Sequence, residues 1–219
     1  GPRARSLPRP AAARRHLVTV TAVSHSQGSG RGIRQLGEHV VASGAVVTFG
    51  QGTFLDPAGN VFRRDIVRHP GAVAVVAVAP EGAALGSAGP AAWMVRQYRA
   101  ALDASVLEIP AGKRDVVDEA PEVTARRELE EELGLNAGRL ELLSAFHPSP
   151  GFCDELCFVF LAQDLVAGTV DRQGIEDSVM TTELLPFADL DRSIESGELR
   201  DAKSIIGLLL ARQRLGLAQ

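Results

Sequence analysis

Residues 112–135, GKRDVVDEAPEVTARRELEEELGL, decide the reading of this chain. The second half predicts a helix over Pro121–Leu133. Proline in a first turn sacrifices no hydrogen bond, Ala125, Leu129 and Leu133 recur at i, i+4 and i+8, and Gly134 is a natural stop. Glu128, Glu130, Glu131 and Glu132 crowd onto the same short span. At about 100° per residue, Glu132 lies about 40° around the axis from Glu128, and Glu131 about 60° to the other side. Three carboxylates therefore share one face while the leucines turn inward. Like charges at these spacings repel by a few tenths of a kcal/mol per pair, and the helix dipole disfavours acids near the C-terminus. A solvated surface helix would explain the composition. A bound cation would explain the clustering, and oxygen ligands without His or Cys suit a hard ion such as Mg²⁺ or Mn²⁺.

Working outward, the apolar patterning predicts a strand-rich chain. Val40–Phe49, Gly52–Leu55 and Val61–Arg68 read as strands, with a turn at Asp56–Gly59 between the last two. Val73–Ala79 is a continuous apolar run, as expected of a strand buried on both faces. Ala92–Tyr98, Val106–Ile109, Leu140–Phe146, Leu156–Ala162 and Val179–Leu185 read as further strands, and Phe187–Ser196 and Ala202–Leu215 as closing helices. Leu17–Val23 reads as a short strand before a Gly-rich loop, Ser24–Gly32. Strands, one helix, strands and then helices make an α+β chain with a mixed sheet.

Composition narrows the function classes. The 219 residues are 45% hydrophobic and 23% charged, ordinary for one globular domain with a small appendage. Residues 1–16 carry five arginines and no acid; the 18 basic and 27 acidic residues of the remainder leave it at −9. An acidic body argues against nucleic acid as a partner, and no apolar run reaches the length of a membrane span. The Arg/Ala/Pro-rich start fits a disordered tail or a transit peptide, and the opening Gly-Pro reads as a processed end. Two cysteines make no disulfide framework, which points to a reducing cytoplasm. Cys153, Cys157 and His147 fall short of the four ligands of a structural zinc site, and the glycines at 28, 30 and 32 open no βαβ unit.

Arg127-Glu128-Leu129, Glu131-Glu132 and Gly134-Leu135, with Glu119 eight positions before Arg127, resemble the Nudix signature G-x5-E-x7-R-E-U-x-E-E-x-G-U, where U is aliphatic. Gly112 stands seven positions before Glu119 instead of six, so the loop between Lys113 and Asp118 carries one extra residue. Gln97-Tyr98-Arg99, Glu108–Lys113 (EIPAGK), Ser149–Glu155 (SPGFCDE) and Pro150, 15 residues after Leu135, resemble the ADP-ribose pyrophosphatase group.

The resemblance implies an α/β/α sandwich, the Nudix fold, over residues 69–219, an N-terminal antiparallel sheet over 38–68 that builds a homodimer, and a weakly ordered tail over 1–37. It implies metal ligation by Glu128 and Glu132, with Glu131 a ligand or a holder of the reacting water, completed by the Ala111 carbonyl. Glu119 and Arg127 would brace the loop. Arg99, Glu108 and Phe152 would touch the substrate, although a surface strand residue, an inter-strand ion pair and a lid anchor are their respective structural alternatives. The general base would come from Glu176 or its neighbour Asp177, with Glu176 favoured. The expected reaction is Mg²⁺- or Mn²⁺-dependent hydrolysis of ADP-ribose to AMP and ribose 5-phosphate. Another nucleotide sugar, such as UDP-glucose or GDP-mannose, or a non-catalytic ADP-ribose sensor are the alternatives.

Overall fold

A computed structural model of the chain describes residues 32–84, 89–168 and 179–217. Strands β1 (Arg34–Ser43), β2 (Thr48–Leu55) and β3 (Val61–Arg68) form an antiparallel three-stranded sheet in that order. The expected strand over Val40–Phe49 is in fact two. The chain reverses between Ser43 and Thr48, closed by Gly44 N–H donating to the Val47 carbonyl at 2.8 Å. β1 also begins at Arg34, so residues 34–37 belong to the sheet and not to a weakly ordered tail. The β2–β3 turn lies where expected, with the Asp56 carboxylate accepting from the Ala58 and Asn60 amides at 2.9 and 2.8 Å. Phe54 and Phe62 sit opposite each other and stack across the strands at 5.4 Å. The Leu17–Val23 strand and the Ser24–Gly32 loop fall, but for Gly32, outside the described residues.

The second sheet holds β4 (Ala72–Ala79), β5 (Ala91–Arg99), β6 (Ala104–Glu108), β7 (Ala111–Lys113), β8 (Leu135–Phe146), β9 (Cys157–Ala167) and β10 (Thr181–Pro186). Its main path runs β10-β5-β4-β9-β8, with β6 on β5 and β7 on β4. β4 and β9 pair in parallel and the other pairs among the described residues are antiparallel, so the sheet is mixed. Among the described residues there are three α-helices: α1 (Pro121–Leu133), α2 (Leu190–Glu195) and α3 (Ala202–Arg214). The expected helix over Phe187–Ser196 is a 3-10 turn, Phe187–Asp189, followed by the short α2.

The continuous apolar run in β4 is explained by two cores. Successive strand side chains point to opposite faces, and Val73, Val75 and Ala77 pack with Ala125 and Leu129 of α1. Ala74 and Val76 pack instead with Leu208 and Ala211 of α3 and Leu190 of α2. β9 repeats the division, Phe160 and Ala162 toward α1, Val159 and Leu161 toward α3. Helices thus cover both faces of the sheet, an α/β/α sandwich. Full burial of Leu129 contributes about 2 kcal/mol.

Candidate active site

α1 carries the acidic face and has the predicted boundaries. Pro121 occupies its first turn, and Gly134, at φ 64°, adopts the left-handed conformation that ends it, its N–H donating to the Glu130 carbonyl at 2.8 Å. With Leu129 fixed in the core, Glu128 and Glu132 are turned against β7 and are themselves buried. The Ala111 N–H donates to Glu132 Oε2 at 3.2 Å. The Glu128 carboxylate lies flat against Gly112, where an added Cβ would fall 1.9 Å from its carboxyl carbon. Only glycine leaves that space, which is the physical reason for the residue at this place.

Arg127 holds the acids together. Its Nη1 donates to Glu128 Oε1 at 2.8 Å and to Glu131 Oε2 at 3.2 Å, and its Nη2 reaches Glu119 Oε2 at 3.5 Å. Thr124 Oγ1 donates to the same Glu119 oxygen at 2.7 Å. Glu119 thus accepts from both Arg127 and Thr124 of α1. The extra loop residue is absorbed in a turn at Val116–Glu119, with Asp118 at φ 61° and Val117 fully turned to solvent, while α1 stays regular.

Burial pushes the Glu128 carboxyl up to about 7, opposed by Arg127 and assisted by Glu131. The Arg127 guanidinium, though half-buried, is shifted up because Glu128, Glu131 and Glu119 surround it. The acidic face is thus an oxygen-only donor set in which buried negative charge is disfavoured unless a cation is close. Among the described residues, no three acidic, His or Cys side chains already converge tightly enough to enclose an ion; Arg127 bridges Glu128 and Glu131 instead. The donor chemistry fits a hard divalent cation, which Glu128 and Glu132 would hold.

Beside this face opens a cleft of about 630 Å³, lined by Ala111, Gly112 and Lys113 of β7, by Arg99 and Glu108, by Asp201 and Lys203, and by His69 and Glu155. Glu108 is almost fully buried and receives Arg99 Nε and Nη2 at 2.7 and 2.6 Å, and also Lys203 Nζ. Despite its burial, these cations hold its pKa below the ordinary glutamate value. The hydrogen bond to Glu108 raises Arg99 in turn. Arg99 and Glu108 are therefore brought together at the cleft, and Glu108 acts there as the counter-charge that aims two cations.

Phe152 is not in that cleft. It is exposed and lines a separate recess of about 400 Å³ with Arg64, Arg68 and Pro150. Its loop is laced to β3: Val67 N–H donates to the Phe152 carbonyl at 2.7 Å, and Arg68 Nη1 to Asp154 Oδ2 at 2.9 Å. Glu176 and Asp177 lie outside the described residues. Cys157 is buried, its thiol pushed up to about 12 by that burial, and among the described residues it joins no metal-holding group.

Sequence reasoning missed Lys203. It follows Asp201, which caps α3 by accepting from Ser204 N–H at 3.0 Å, and the cap turns Lys203 toward Glu108, 95 residues earlier. A partner 95 residues away leaves no local signal in the sequence.

Comparison with known proteins agrees with this geometry. The NUDIX domain profile matches residues 68–206. An ADP-ribose pyrophosphatase of Bacillus subtilis is 43% identical over 148 residues, covering 68% of this chain and 75% of that protein. An ADP-ribose pyrophosphatase of Mycobacterium tuberculosis is 35% identical over 167 residues, 76% of this chain and 77% of that protein. A solved ADP compounds hydrolase superposes with a TM-score of 0.70 at 22% identity, covering 88% of this chain and 97% of its own, a likeness of fold. With the signature acids gathered on α1 against Gly112, the chain belongs to the Nudix family and is similar to its ADP-ribose pyrophosphatases.

Proposed function

We propose that the protein hydrolyses the diphosphate bond of ADP-ribose, or of a close nucleoside-diphosphate sugar, with Mg²⁺ (or Mn²⁺) as cofactor. The observation that carries this is the pair of buried carboxylates, Glu128 and Glu132, pressed against Gly112 and Ala111 at the edge of a substrate-sized cleft. A divalent cation held by Glu128 and Glu132, with Glu131 and the Ala111 carbonyl beside them, would neutralise the diphosphate and make its phosphorus more electrophilic. Glu131 would hold the attacking water, and Glu176, or Asp177 beside it, would take the water's proton. The oxygen of that water becomes part of one phosphate, and the bridging P–O bond breaks to give AMP and ribose 5-phosphate. Arg99, aimed by Glu108, would receive phosphate or ribose oxygens, and Phe152 would stack on the nucleobase of a substrate that extends from the cleft into the neighbouring recess.

Two features support a homodimer built on the N-terminal sheet. Leu36, Val40, Val41, Phe49 and Val61 are exposed there, and the Phe152 recess is bordered by the same sheet. Free thiols at Cys153 and Cys157 fit a cytoplasmic site of action. The test is release of the nucleoside monophosphate, AMP from ADP-ribose, UMP from UDP-glucose and GMP from GDP-mannose, with and without Mg²⁺. Turnover of ADP-ribose that needs the metal and falls at least 100-fold in Glu176→Gln is the expected result. No hydrolysis of any of the three, with ADP-ribose still bound, would favour the sensor instead.

A further inference from the structure

The enlarged signature loop is closed at its neck by a side chain with no part in the reading above. Arg114 opens the loop and Glu119 ends it. The Arg114 N–H donates to the Gly71 carbonyl at 3.1 Å, which ties the start of the loop to the residue before β4. Its guanidinium lies over the Phe158 ring of β9, 5.1 Å from the centroid, and Nη2 donates to the Glu119 carbonyl at 3.3 Å. Residues 115–118 stand exposed between the two ends. The added length of the loop is thus taken up on the solvent side of the Arg114–Glu119 bond.

For stability alone an arginine is a poor choice here. Among the described residues its Nε is buried with no hydrogen-bond partner. A buried donor left unmatched is costly, and an unbranched apolar side chain would cover Phe158 without that cost. What a donor adds is the bond to Glu119, and Glu119 needs holding. It immediately precedes Ala120, the N-cap of α1, which makes no side-chain cap bond. Its carboxylate accepts from Thr124 Oγ1 at 2.7 Å and from Arg127 Nη2 at 3.5 Å, and Arg127 Nη1 joins Glu128 to Glu131. A displaced Glu119 therefore displaces Arg127, and with it the acidic face.

We propose that Arg114 is a positioning residue for hydrolysis: by clamping the Glu119 carbonyl it sets, through Glu119 and Arg127, where Glu128 and Glu131 stand. This rests on the hydrolase reading. Arg114→Met covers Phe158 but donates nothing, whereas Arg114→Lys keeps a terminal donor over the ring. In steady-state hydrolysis of ADP-ribose, Arg114→Met should lower kcat about tenfold, with KM changed less than about threefold and a melting temperature equal or higher. Arg114→Lys should return kcat to within about threefold of the unaltered protein. Because both residues act along one path, adding Arg114→Met to Glu119→Gln should lower kcat by less than about twofold more. In hydrogen exchange followed by NMR, the Glu119 amide, which donates to the Val116 carbonyl, should exchange about tenfold faster in Arg114→Met, with the Leu129 amide unchanged. An unchanged kcat in Arg114→Met overturns the assignment, as do losses that multiply in the double variant or an unmoved Glu119 exchange rate. So does a kcat loss that comes with a lower melting temperature and is not restored by lysine, which would make the residue structural only. If the unaltered protein hydrolyses no nucleoside-diphosphate sugar, the hydrolase reading falls and this role in it falls too, whereas the clamp on Glu119 stands or falls on the exchange rate.

Discussion

Gly112→Ala separates function from folding more cleanly than removal of any carboxylate. The new Cβ would lie 1.9 Å from Glu128 Cδ and 2.1 and 2.2 Å from its two oxygens. Carbon atoms rest about 3.5 Å apart, so the carboxylate must retreat by ~1.6 Å. It can do so, because the obstructing atoms are the end of a flexible side chain and not backbone. The stability change is therefore small. Replacing glycine by alanine stiffens the unfolded chain, worth about 0.4–1 kcal/mol in favour of folding, against a modest cost for rotating Glu128. The melting temperature should stay within about 4 °C. Activity should not survive, since misplacing a reacting group by about 1 Å costs on the order of 100-fold. The assay is AMP release under kcat/KM conditions beside a thermal melt of the same sample. Turnover within threefold of the unaltered enzyme would mean that Glu128 does not act from the position it occupies beside β7.

Other substitutions probe the remaining parts. Glu132→Gln keeps the shape but removes the charge from the group that accepts the Ala111 N–H, and should lower AMP release at least 100-fold with an unchanged melting temperature. Glu108→Gln leaves Arg99 and Lys203 without their buried counter-charge. Because Arg99 can turn to water, about 2–3 kcal/mol is expected, a fall of roughly 5–10 °C by scanning calorimetry. The same pair predicts a pH dependence. The Glu108 pKa is held below its ordinary 4.5, so its contribution is complete above that value and disappears as pH falls through the lower folded one. Urea titrations should show the two proteins converging in stability below pH 4.5 and separated above it. Arg68→Met releases the Asp154 carboxylate, and hydrogen exchange at the Asp154 amide, which donates to the Val67 carbonyl, should accelerate at least tenfold if that ion pair pins the Phe152 loop.

The parts of the fold that were legible in the sequence are those where local chemistry and packing agree. α1 has a proline at its start, a left-handed glycine after its end and a leucine stripe on one side, and its boundaries follow from those features. β4 was legible because burial on both faces leaves no room for polar residues. β1 offered no such signal. It is exposed along nearly its whole length, so its side chains do not alternate, and its polar first residues resemble a tail. The Ser43–Thr48 reversal was hidden because Val46 and Val47 continue the apolar run across the turn. The three-residue β7 follows a proline and contains a glycine, and only its pairing with β4 makes it a strand. At the site, the acidic face was legible because all its members lie on one helix. Lys203 was not, because its function depends on a residue in another strand, and Phe152 cannot be assigned to a cleft without knowing where its loop docks.

The segment from Glu108 to Gly112 explains why these distant pieces act as one site. Its residues contact α3 and α1 in turn: Glu108 receives Lys203, and the Ile109 N–H donates to Ser204 Oγ at 2.8 Å, both on α3. The Pro110 carbonyl accepts from Val75 of β4 at 2.8 Å, which keeps the segment on the sheet. Ala111 and Gly112 then meet Glu132 and Glu128 of α1. The two helices are held by opposite faces of β4, yet both touch this one stretch of backbone. A shift of α3 is therefore transmitted to the acidic face through a few bonded residues and not through a compliant core. The cations that would orient a diphosphate and the carboxylates that would hold its metal are fixed relative to each other by the same short segment, and that common anchorage lets the cleft keep the geometry hydrolysis requires.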